Sequence, residues 1–311
     1  MSKPHEVPPP LGDVALVLGG GGAAGQAWQI GVIAGLAEAG LDLASAAALV
    51  IGTSSGATTA AWVRSGIPPA HLFVSVLSEP TRSMPPGRER PVSPSTDALF
   101  QRMRAIGAAA GSAAELQRAM GAFGLESDAG FPPEAADQRR AMVASRLPHH
   151  EWSDRAMVVA VLDAHTGALV TFDSGSGVDL VDAVTAATAL PGGTPTVGIA
   201  GARYVNGGVR SAENADLASG YRNVVVLSPF GGRSGPLPEG QFEGLRRFPG
   251  TDLPSQVETL RGQGSHVELI TPDVDSETAM GTNQMDPATR IPSARAGHAQ
   301  GKRCAGRVTL R

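Results

Sequence analysis

The chain has 311 residues, a formal net charge of -4 and no block of basic residues, which argues against nucleic acid as a partner. Its single cysteine, Cys304, excludes an intramolecular disulfide framework and fits a reducing compartment, so we expect a cytoplasmic protein. Hydrophobic residues make up 42% of the chain and aromatic residues only 4%, so the core must be built from Ala, Val and Leu.

The N-terminal region predicts a short leader and then a buried strand. The first ten residues are polar and rich in proline, so we expect a disordered leader over residues 1–12 and a single α/β domain over residues 13–311. No apolar run reaches the length of a transmembrane helix. The continuous apolar run of residues 14–18 is typical of a parallel strand that is buried on both faces.

A glycine-rich loop follows this strand, and a helix is predicted from about Gln26 to Ala39. The glycines at 20, 22 and 25 match the dinucleotide fingerprint, but its acidic residue could only be Asp42, which falls between the helix and the next strand. The second interpretation is an oxyanion hole formed by the backbone N–H groups of Gly20, Gly21 and Gly22. A turn that allows close helix–strand packing is the third.

The stretch Gly52-Thr53-Ser54-Ser55-Gly56 matches the nucleophile elbow, a sharp strand-to-helix turn that exposes a serine hydroxyl. It follows the apolar run 46–50 and precedes a predicted helix over 57–64. The two glycines allow the turn without a Cβ clash, and the new helix directs its N-terminal N–H groups at Ser54. A nucleophile on the adjacent strand favours the oxyanion-hole interpretation of the glycine loop.

From residue 68 to 150 the periodicity is poorer and predicts a helical insertion, which would serve as a lid, an acyl-chain channel or a structural layer. Its arginines most simply mark solvated helix faces, with a phosphate head-group site as the alternative (Arg102, Arg104, Arg139 and Arg140). Trp28, just past the glycine loop, is either a core residue or part of an acyl pocket.

The regular α/β pattern resumes with a predicted hairpin over 156–173 and a helix over 178–189. Short strands are predicted at 197–200, 204–205, 223–227 and 267–270, and the alternation with helices predicts a mostly parallel sheet. The segment 287–302 is predicted to be a polar surface helix. Asp273, Asp275 and Glu277 indicate a solvated acidic loop rather than a metal site, since they lack the glycine and late glutamate of a calcium loop.

Four blocks in order resemble the patatin-like phospholipases. They are the glycine loop, the Gly-x-Ser-x-Gly elbow, the small-residue block ending at Leu190-Pro191, and the block Asn206-Gly207-Gly208. The resemblance covers roughly residues 14 to 227. It implies a three-layer α/β/α fold with a mostly parallel central sheet, acyl-ester hydrolysis, and a Ser–Asp dyad that works without histidine.

One departure from the family pattern concerns the dyad itself, because the aspartate position is occupied by Asn206. A carboxamide cannot accept the serine proton as a general base. An engineered base knockout is the interpretation that the intact remaining blocks favour; a natural variant with little activity and partial deamidation at Asn-Gly are the others. Ala24 replaces a basic residue found in many members, which leaves the backbone donors unaffected.

Other residues compete for the role of base. His165 at the predicted hairpin and His266 before the last strand would suit a serine–histidine pair, with Asp163 or Asp173 as third member. Glu213 and Asp216 lie near the Asn206 turn, where helix N-terminal charge is the simpler interpretation.

The sequence therefore predicts a serine acyl hydrolase, a lipase or phospholipase-type esterase, with Ser54 and Asn206 as the dyad positions and Gly20, Gly21 and Gly22 as the oxyanion hole. We expect no metal or organic cofactor. The expected partner is a lipid or acyl-ester substrate, delivered by transient contact with a membrane or a carrier. An acyltransferase that uses the same acyl-serine intermediate and a catalytically silent lipid-binding protein are the alternatives.

Overall fold

The computed structural model describes residues 13–78, 96–231 and 247–310, so the predicted leader lies outside the described residues. Its strands are β1 Val14–Leu18, β2 Leu49–Thr53, β3 Met157–Asp163, β4 Leu169–Phe172, β5 Val197–Ile199, β6 Ala202–Asn206, β7 Asn223–Leu227 and β8 His266–Ile270. Its α-helices are α1 Gly22–Glu38, α2 Leu43–Ala46, α3 Ser55–Val63, α4 Pro69–Leu77, α5 Thr96–Ala109, α6 Ala113–Ser127, α7 Ala135–Ala144, α8 Leu180–Ala187, α9 Leu253–Gly262, α10 Val274–Met280 and α11 Arg290–Cys304.

All these strands form one sheet. With hydrogen-bonded strands written as neighbours, they follow the order β5-β6-β3-β2-β1-β7-β8, and β4 also pairs with β3. The strands from β3 to β8 along this order are parallel, whereas β4, β5 and β6 pair antiparallel. Every residue of the central strand β1 is buried, as the unbroken apolar run predicts. The predicted mostly parallel central sheet flanked by helices is confirmed.

The sheet is covered on both faces, which gives three layers. Side chains of β1 alternate between two core clusters: Val14, Leu16 and Leu18 pack with α1 and α3, while Ala15 and Val17 pack with α9. A third cluster lies between helices α5 and α6 and the end of β3. Among the described residues, no helix is long and apolar enough to cross a membrane.

Strands β2 and β6 meet end to end along one edge of β3. Thr53, the last residue of β2, pairs with Ala160, and Asn206, the last residue of β6, pairs with the next residue, Val161. Strand β4 occupies the opposite edge of β3, opposite the same residues. Because β2 runs parallel and β6 antiparallel to β3, their C-terminal ends converge, and the turns that follow them are neighbours.

The helix predicted over 287–302 is present as α11, but one of its faces is buried because it packs closely on α1. Glycines allow the two helices to come this close, because a side chain would not fit. A Cβ on Gly31 would lie 2.1 Å from the Ala294 carbonyl oxygen, and a Cβ on Gly297 would lie 2.4 Å from the Trp28 carbonyl oxygen. Both helices carry glycines four residues apart, Gly31 and Gly35 on α1 and Gly297 and Gly301 on α11. This spacing places each pair on one helix face.

Several predicted boundaries also change. Helix α1 begins at Gly22, inside the glycine loop, and not at Gln26. The segment 97–120, for which the sequence predicts one or two helices, is two, α5 and α6, and the second extends to Ser127. The predicted acidic loop is helix α10, and its N-cap Asp273 accepts a hydrogen bond from the Ser276 N–H at 3.0 Å.

Candidate active site

Ser54 occupies a strained turn between β2 and α3. Its backbone has φ 55° and ψ -127°, a conformation that residues other than glycine rarely adopt and that costs of order 1–3 kcal/mol. The flanking glycines have no room for a side chain, because a Cβ on Gly56 would lie 2.0 Å from the Leu18 carbonyl oxygen and one on Gly52 would lie 2.5 Å from Ala57 Cα. The residues around Ser54 therefore have the geometry of a nucleophile elbow.

Asn206 faces Ser54 from the end of β6. Its Nδ2 donates a hydrogen bond to Ser54 Oγ at 2.9 Å, and its Oδ1 accepts one from the Gly208 N–H at 2.8 Å. The Asn206 N–H donates to the Ala189 carbonyl at 2.9 Å, and the residue is only 2% exposed. Because the Gly208 N–H requires an acceptor, the carboxamide oxygen points there and the NH₂ group must face the serine.

This arrangement determines what residue 206 can do chemically. The NH₂ group offers Ser54 Oγ a donor, so Oγ accepts and its own proton points elsewhere. With an aspartate in the same position, the atom now called Nδ2 would be a carboxylate oxygen, able to accept the serine proton. Asn206 thus preserves the distance between the two side chains and removes the base.

The glycine loop lies against Ser54, but two of its N–H groups already have acceptors. The Gly20 N–H donates to the Ala212 carbonyl at 2.8 Å, and the Gly21 N–H donates to the Ser55 hydroxyl at 2.9 Å. Gly22 is the first residue of α1, so its N–H has no partner within the helix. Gly20 also leaves space beside the nucleophile, since a Cβ there would lie 3.1 Å from Ser54 Cβ.

The segment after the Asn206 turn ties the glycine loop to the elbow. The Ala212 carbonyl receives the Gly20 N–H, and the Glu213 carbonyl accepts the Thr53 hydroxyl at 3.1 Å. The Asn214 side chain also donates to Thr53 Oγ1 at 3.1 Å. One buried segment therefore fixes the relative positions of the three predicted blocks.

Ser54, Asn206 and the three glycines all line one cavity of about 690 Å³. Aromatic and aliphatic side chains from the helical layers form much of its wall, including Trp62, Phe100, Met142, Val143, Leu190 and Ile291. A cavity of this size and lining suits an apolar ligand that reaches a few polar groups. Trp28 takes no part in it, because its ring is fully buried and its Nε1 donates to Gln300 Oε1 at 2.9 Å.

The competing bases lie elsewhere or have other partners. His266 begins β8 and contacts Glu268 Oε1 at 3.0 Å; because parallel strands share a direction, it lies at the opposite end of the sheet from Ser54. His165 is exposed at the hairpin between β3 and β4. Asp216 pairs with Arg210 at 2.6 Å. None of these lines the cavity.

Glu213 is buried beneath the glycine loop but contacts Ser228 rather than Ser54. Its Oε1 accepts the Ser228 hydroxyl at 2.6 Å, and its Cγ lies 3.1 Å from where a Cβ on Gly19 would be. Burial raises the pKa of Glu213, against the lowering effects of the Ser228 hydrogen bond and Arg247. Its carboxyl therefore supports the loop from outside the cavity.

The predicted arginines separate into two groups. Arg140 is exposed and pairs with Asp182 at 2.5 Å, and Arg102 is exposed beside Glu126, so both lie on solvated faces as predicted. Arg104 does not line the cavity either. Arg139, however, lies on the cavity wall, so its predicted solvated face is wrong.

Sequence reasoning missed this wall of the cavity, although a signal was present. Arg139, Met142, Val143 and Arg146 follow the i, i+3, i+4, i+7 spacing of one helix face, and all four line the cavity. The apolar members alone are typical of an ordinary core stripe, and only the tertiary structure shows that this face borders a cavity.

The family model for patatin-like phospholipases matches residues 16–219. The crystal structure of the type III effector protein ExoU is 15% identical, with a TM-score of 0.40 over 96% of this chain and 53% of that chain. A chain of the complex of full-length SpcU with full-length ExoU from Pseudomonas aeruginosa is 16% identical, with a TM-score of 0.32, covering 94% and 53%.

The chain thus spans about half the length of these solved chains. No curated protein matches it at a significant level. The family match extends over about two thirds of the sequence and includes the glycine loop, the elbow and the Asn206 turn. The chain therefore belongs to the patatin-like phospholipase family.

Proposed function

We propose that this protein is a serine acyl hydrolase, a lipase or phospholipase-type esterase, in which Ser54 attacks fatty-acyl esters and residue 206 is the dyad partner. The observation that carries the proposal is the 2.9 Å contact between Asn206 Nδ2 and Ser54 Oγ on the wall of the largely apolar cavity. Family membership supports lipid hydrolysis in general.

In the proposed reaction, Ser54 Oγ bonds to the ester carbonyl carbon and the carbonyl oxygen becomes an oxyanion. Backbone N–H groups of the glycine loop and of Ser55, the first residue of α3, would stabilise this charge. Collapse of the intermediate expels the alcohol, which takes up the serine proton, and leaves an acyl-serine. Water then attacks this ester and releases the fatty acid.

The hydrogen bonds of the glycine loop refine the predicted oxyanion hole. Gly22 has no helical partner for its N–H, and the Gly21 N–H donates to a serine hydroxyl that can rotate away, so these two are the better donors. The Gly20 N–H would have to leave the Ala212 carbonyl first. The same protein acceptors argue against a dinucleotide in this loop, because its phosphates would need several free N–H groups.

With Asn206 in the dyad position, both acylation and deacylation lack their general base, so the proposed activity of this chain is low. Loss of a general base costs a factor of about 10²–10⁴. A silent lipid-binding protein is the second candidate, and the donor that Asn206 presents to Ser54 is the observation that favours it. Transfer to an alcohol acceptor would pass through the same acyl-serine and would be recognised by its products.

A fluorophosphonate probe followed by intact-mass spectrometry tests the proposal. We expect Asn206→Asp to gain one adduct that maps to Ser54, while Asn206→Asp combined with Ser54→Ala gains none. Equal labelling of the parent chain and Asn206→Asp would show that the base lies elsewhere. Absence of labelling in a folded Asn206→Asp protein that binds lipid would favour the silent-binder candidate.

A further inference from the structure

The charged side chains described on the cavity wall are all of one sign. Arg139, Arg146, Arg247 and Arg290 line the cavity, whereas no aspartate or glutamate among the described residues does so. The four arginines come from separate parts of the chain: α7, the turn after it, the loop before α9, and α11. A low-dielectric space with positive walls attracts anions and repels cations.

Arg139 is half-buried, and its hydrogen bonds differ from those of the buried Arg64. Its Nη2 donates to the Thr188 carbonyl at 3.0 Å and to Thr188 Oγ1 at 2.8 Å, and Nη1 contacts only the Met142 sulfur at 4.0 Å. Its Nε is buried and donates to no acceptor. No carboxylate among the described residues lies within ion-pair distance of this guanidinium.

Arg64 shows how the fold satisfies an arginine that has a purely structural role. Its Nε and both terminal nitrogens donate to the carbonyls of Ala156, Ala44 and Ala47, at 3.1, 3.3 and 2.9 Å, away from the cavity. Arg139 lacks this set of acceptors. A buried polar donor without an acceptor is costly, so the unsatisfied donors of Arg139 favour a ligand oxygen beside it.

Arg139 keeps its charge at neutral pH despite this environment. Burial, together with the like charge of Arg146, lowers the pKa of Arg139 to about 10. The guanidinium fork matches the oxygens of a carboxylate or a phosphate. An anion beside it would gain two favourable contributions, the charge of Arg139 and that of the three other arginines.

We infer that Arg139 binds the anionic oxygens of an amphiphilic ligand, a carboxylate or a phosphate, whose acyl chain occupies the cavity beside Ser54. This inference rests on the proposed function for the acyl part of the ligand. The charged group has two sources, a released fatty acid or a phosphorylated head group, and their shared chemistry is an oxyanion joined to an apolar chain.

The test is calorimetric titration of the whole chain with decanoate, decyl phosphate and decanol, each below its micelle concentration. We expect at least one of the two anions to bind about ten-fold more tightly than decanol at low salt. Arg139→Gln should abolish this preference and leave decanol binding unchanged. The matched control is Arg140→Gln, the next residue of α7, which pairs with Asp182 outside the cavity and should keep the full preference.

The three ligands also separate the two sources of the anion. Tight binding of decanoate alone identifies a carboxylate site, tight binding of decyl phosphate alone identifies a phosphate site, and tight binding of both supports the shared chemistry. Equal affinity for all three overturns the inference. So does an equal loss for decanol in Arg139→Gln, which would reveal a structural role through Thr188.

Arg139→Lys is a second variant that keeps the inference testable if Arg139→Gln does not fold. Lysine keeps the charge but not the fork, so it should retain a reduced preference for the anions that falls further as salt is raised to about 0.5 M. A preference that is insensitive to both this substitution and salt overturns the inference. None of the ligands contains a carboxylic ester, so failure here leaves the labelling of Ser54, and with it the proposed function, untouched.

Discussion

The turn after β2, which holds Ser54, and the end of β6, which holds Asn206, are fixed by the same kind of contact. Around Ser54, glycines pack where no Cβ fits. Around Asn206, a Cβ on Gly207 would lie 2.6 Å from the Ala160 carbonyl oxygen, and the Gly208 N–H holds the side chain. The two turns differ in chemistry, because one presents a nucleophile and the other presents a donor in place of a base.

This difference shows that the geometry of the site and its reactivity have separate origins in the sequence. Geometry depends on many backbone contacts spread over β1, β2, β3 and the segment after β6. Reactivity depends on the identity of a single atom at the end of one side chain. Substitutions should therefore be able to change either property while leaving the other intact.

The largest expected effect comes from Asn206→Asp. It replaces the NH₂ donor with a carboxylate oxygen, while the second oxygen keeps the Gly208 N–H, so hydrolysis of a chromogenic acyl ester should rise by about 10²–10⁴-fold, or about 2.7–5.5 kcal/mol. Asn206→Ala is the control and should show no gain. If Asn206→Asp hydrolyses the ester no faster than Asn206→Ala does, the assignment of the dyad is wrong.

Gly56→Ala should act on geometry instead. Its Cβ would lie 2.0 Å from the Leu18 carbonyl oxygen, which is backbone and cannot move without distorting β1, so we expect a loss of about 3 kcal/mol in the free energy of unfolding. Urea denaturation measures this loss. Gly262→Ala is the matched control, since a Cβ there meets nothing within 4 Å and α9 should be unchanged or slightly stabilised.

The same experiment has a second readout in the Asn206→Asp background. If the elbow alone positions Ser54, Gly56→Ala should reduce fluorophosphonate labelling even where the protein remains folded. Full labelling of a destabilised Gly56→Ala protein would mean that this glycine serves packing only.

Gly297→Ala tests whether close glycine packing away from the site has a smaller and purely structural effect. Its Cβ would lie 2.4 Å from the Trp28 carbonyl oxygen, but α11 gains helix propensity from alanine and can shift away from α1. We expect a loss of about 2 kcal/mol, with Ser54 labelling retained in the Asn206→Asp background. Loss of labelling in folded protein would show that α11 also positions the cavity.

The features that sequence could predict are those encoded by neighbouring residues. The elbow depends on five consecutive residues between a strand and a helix, and β7 was predicted with its observed bounds because its apolar run stands between polar turns. The start of α1 at Gly22 could not be read in this way. Glycine is a weak helix former, and the Gln284 carbonyl, far along the chain, accepts the Ala24 N–H near this helix start.

Features built from distant residues were harder to predict. The packing of α11 on α1 is encoded by paired glycines in helices some 260 positions apart, each of which looks unremarkable alone. The role of Arg139 depends on Thr188 and on a cavity whose walls come from several helices. Composition and periodicity report the faces of an element, whereas the partner of a face is a property of the tertiary structure.

Glu213 should give the smallest effect, a change in pH dependence, because it is a buried carboxyl near the site that contributes to geometry alone. Burial raises its pKa in the folded state above the ordinary value of 4.5, so the folded protein holds a proton that the unfolded chain releases. Its contribution to the free energy of unfolding is therefore complete below pH 4.5 and is lost as the pH rises through the folded-state pKa.

Glu213→Gln keeps an acceptor for the Ser228 hydroxyl and cannot ionise. The free energy of unfolding, measured in urea between about pH 5 and pH 8, should therefore decline less with pH than in the parent chain. Parallel curves for the two proteins would mean that Glu213 is not held in its protonated form. A loss of Ser54 labelling by Glu213→Gln in the Asn206→Asp background would mean that Glu213 takes part in the reaction and does more than support the loop.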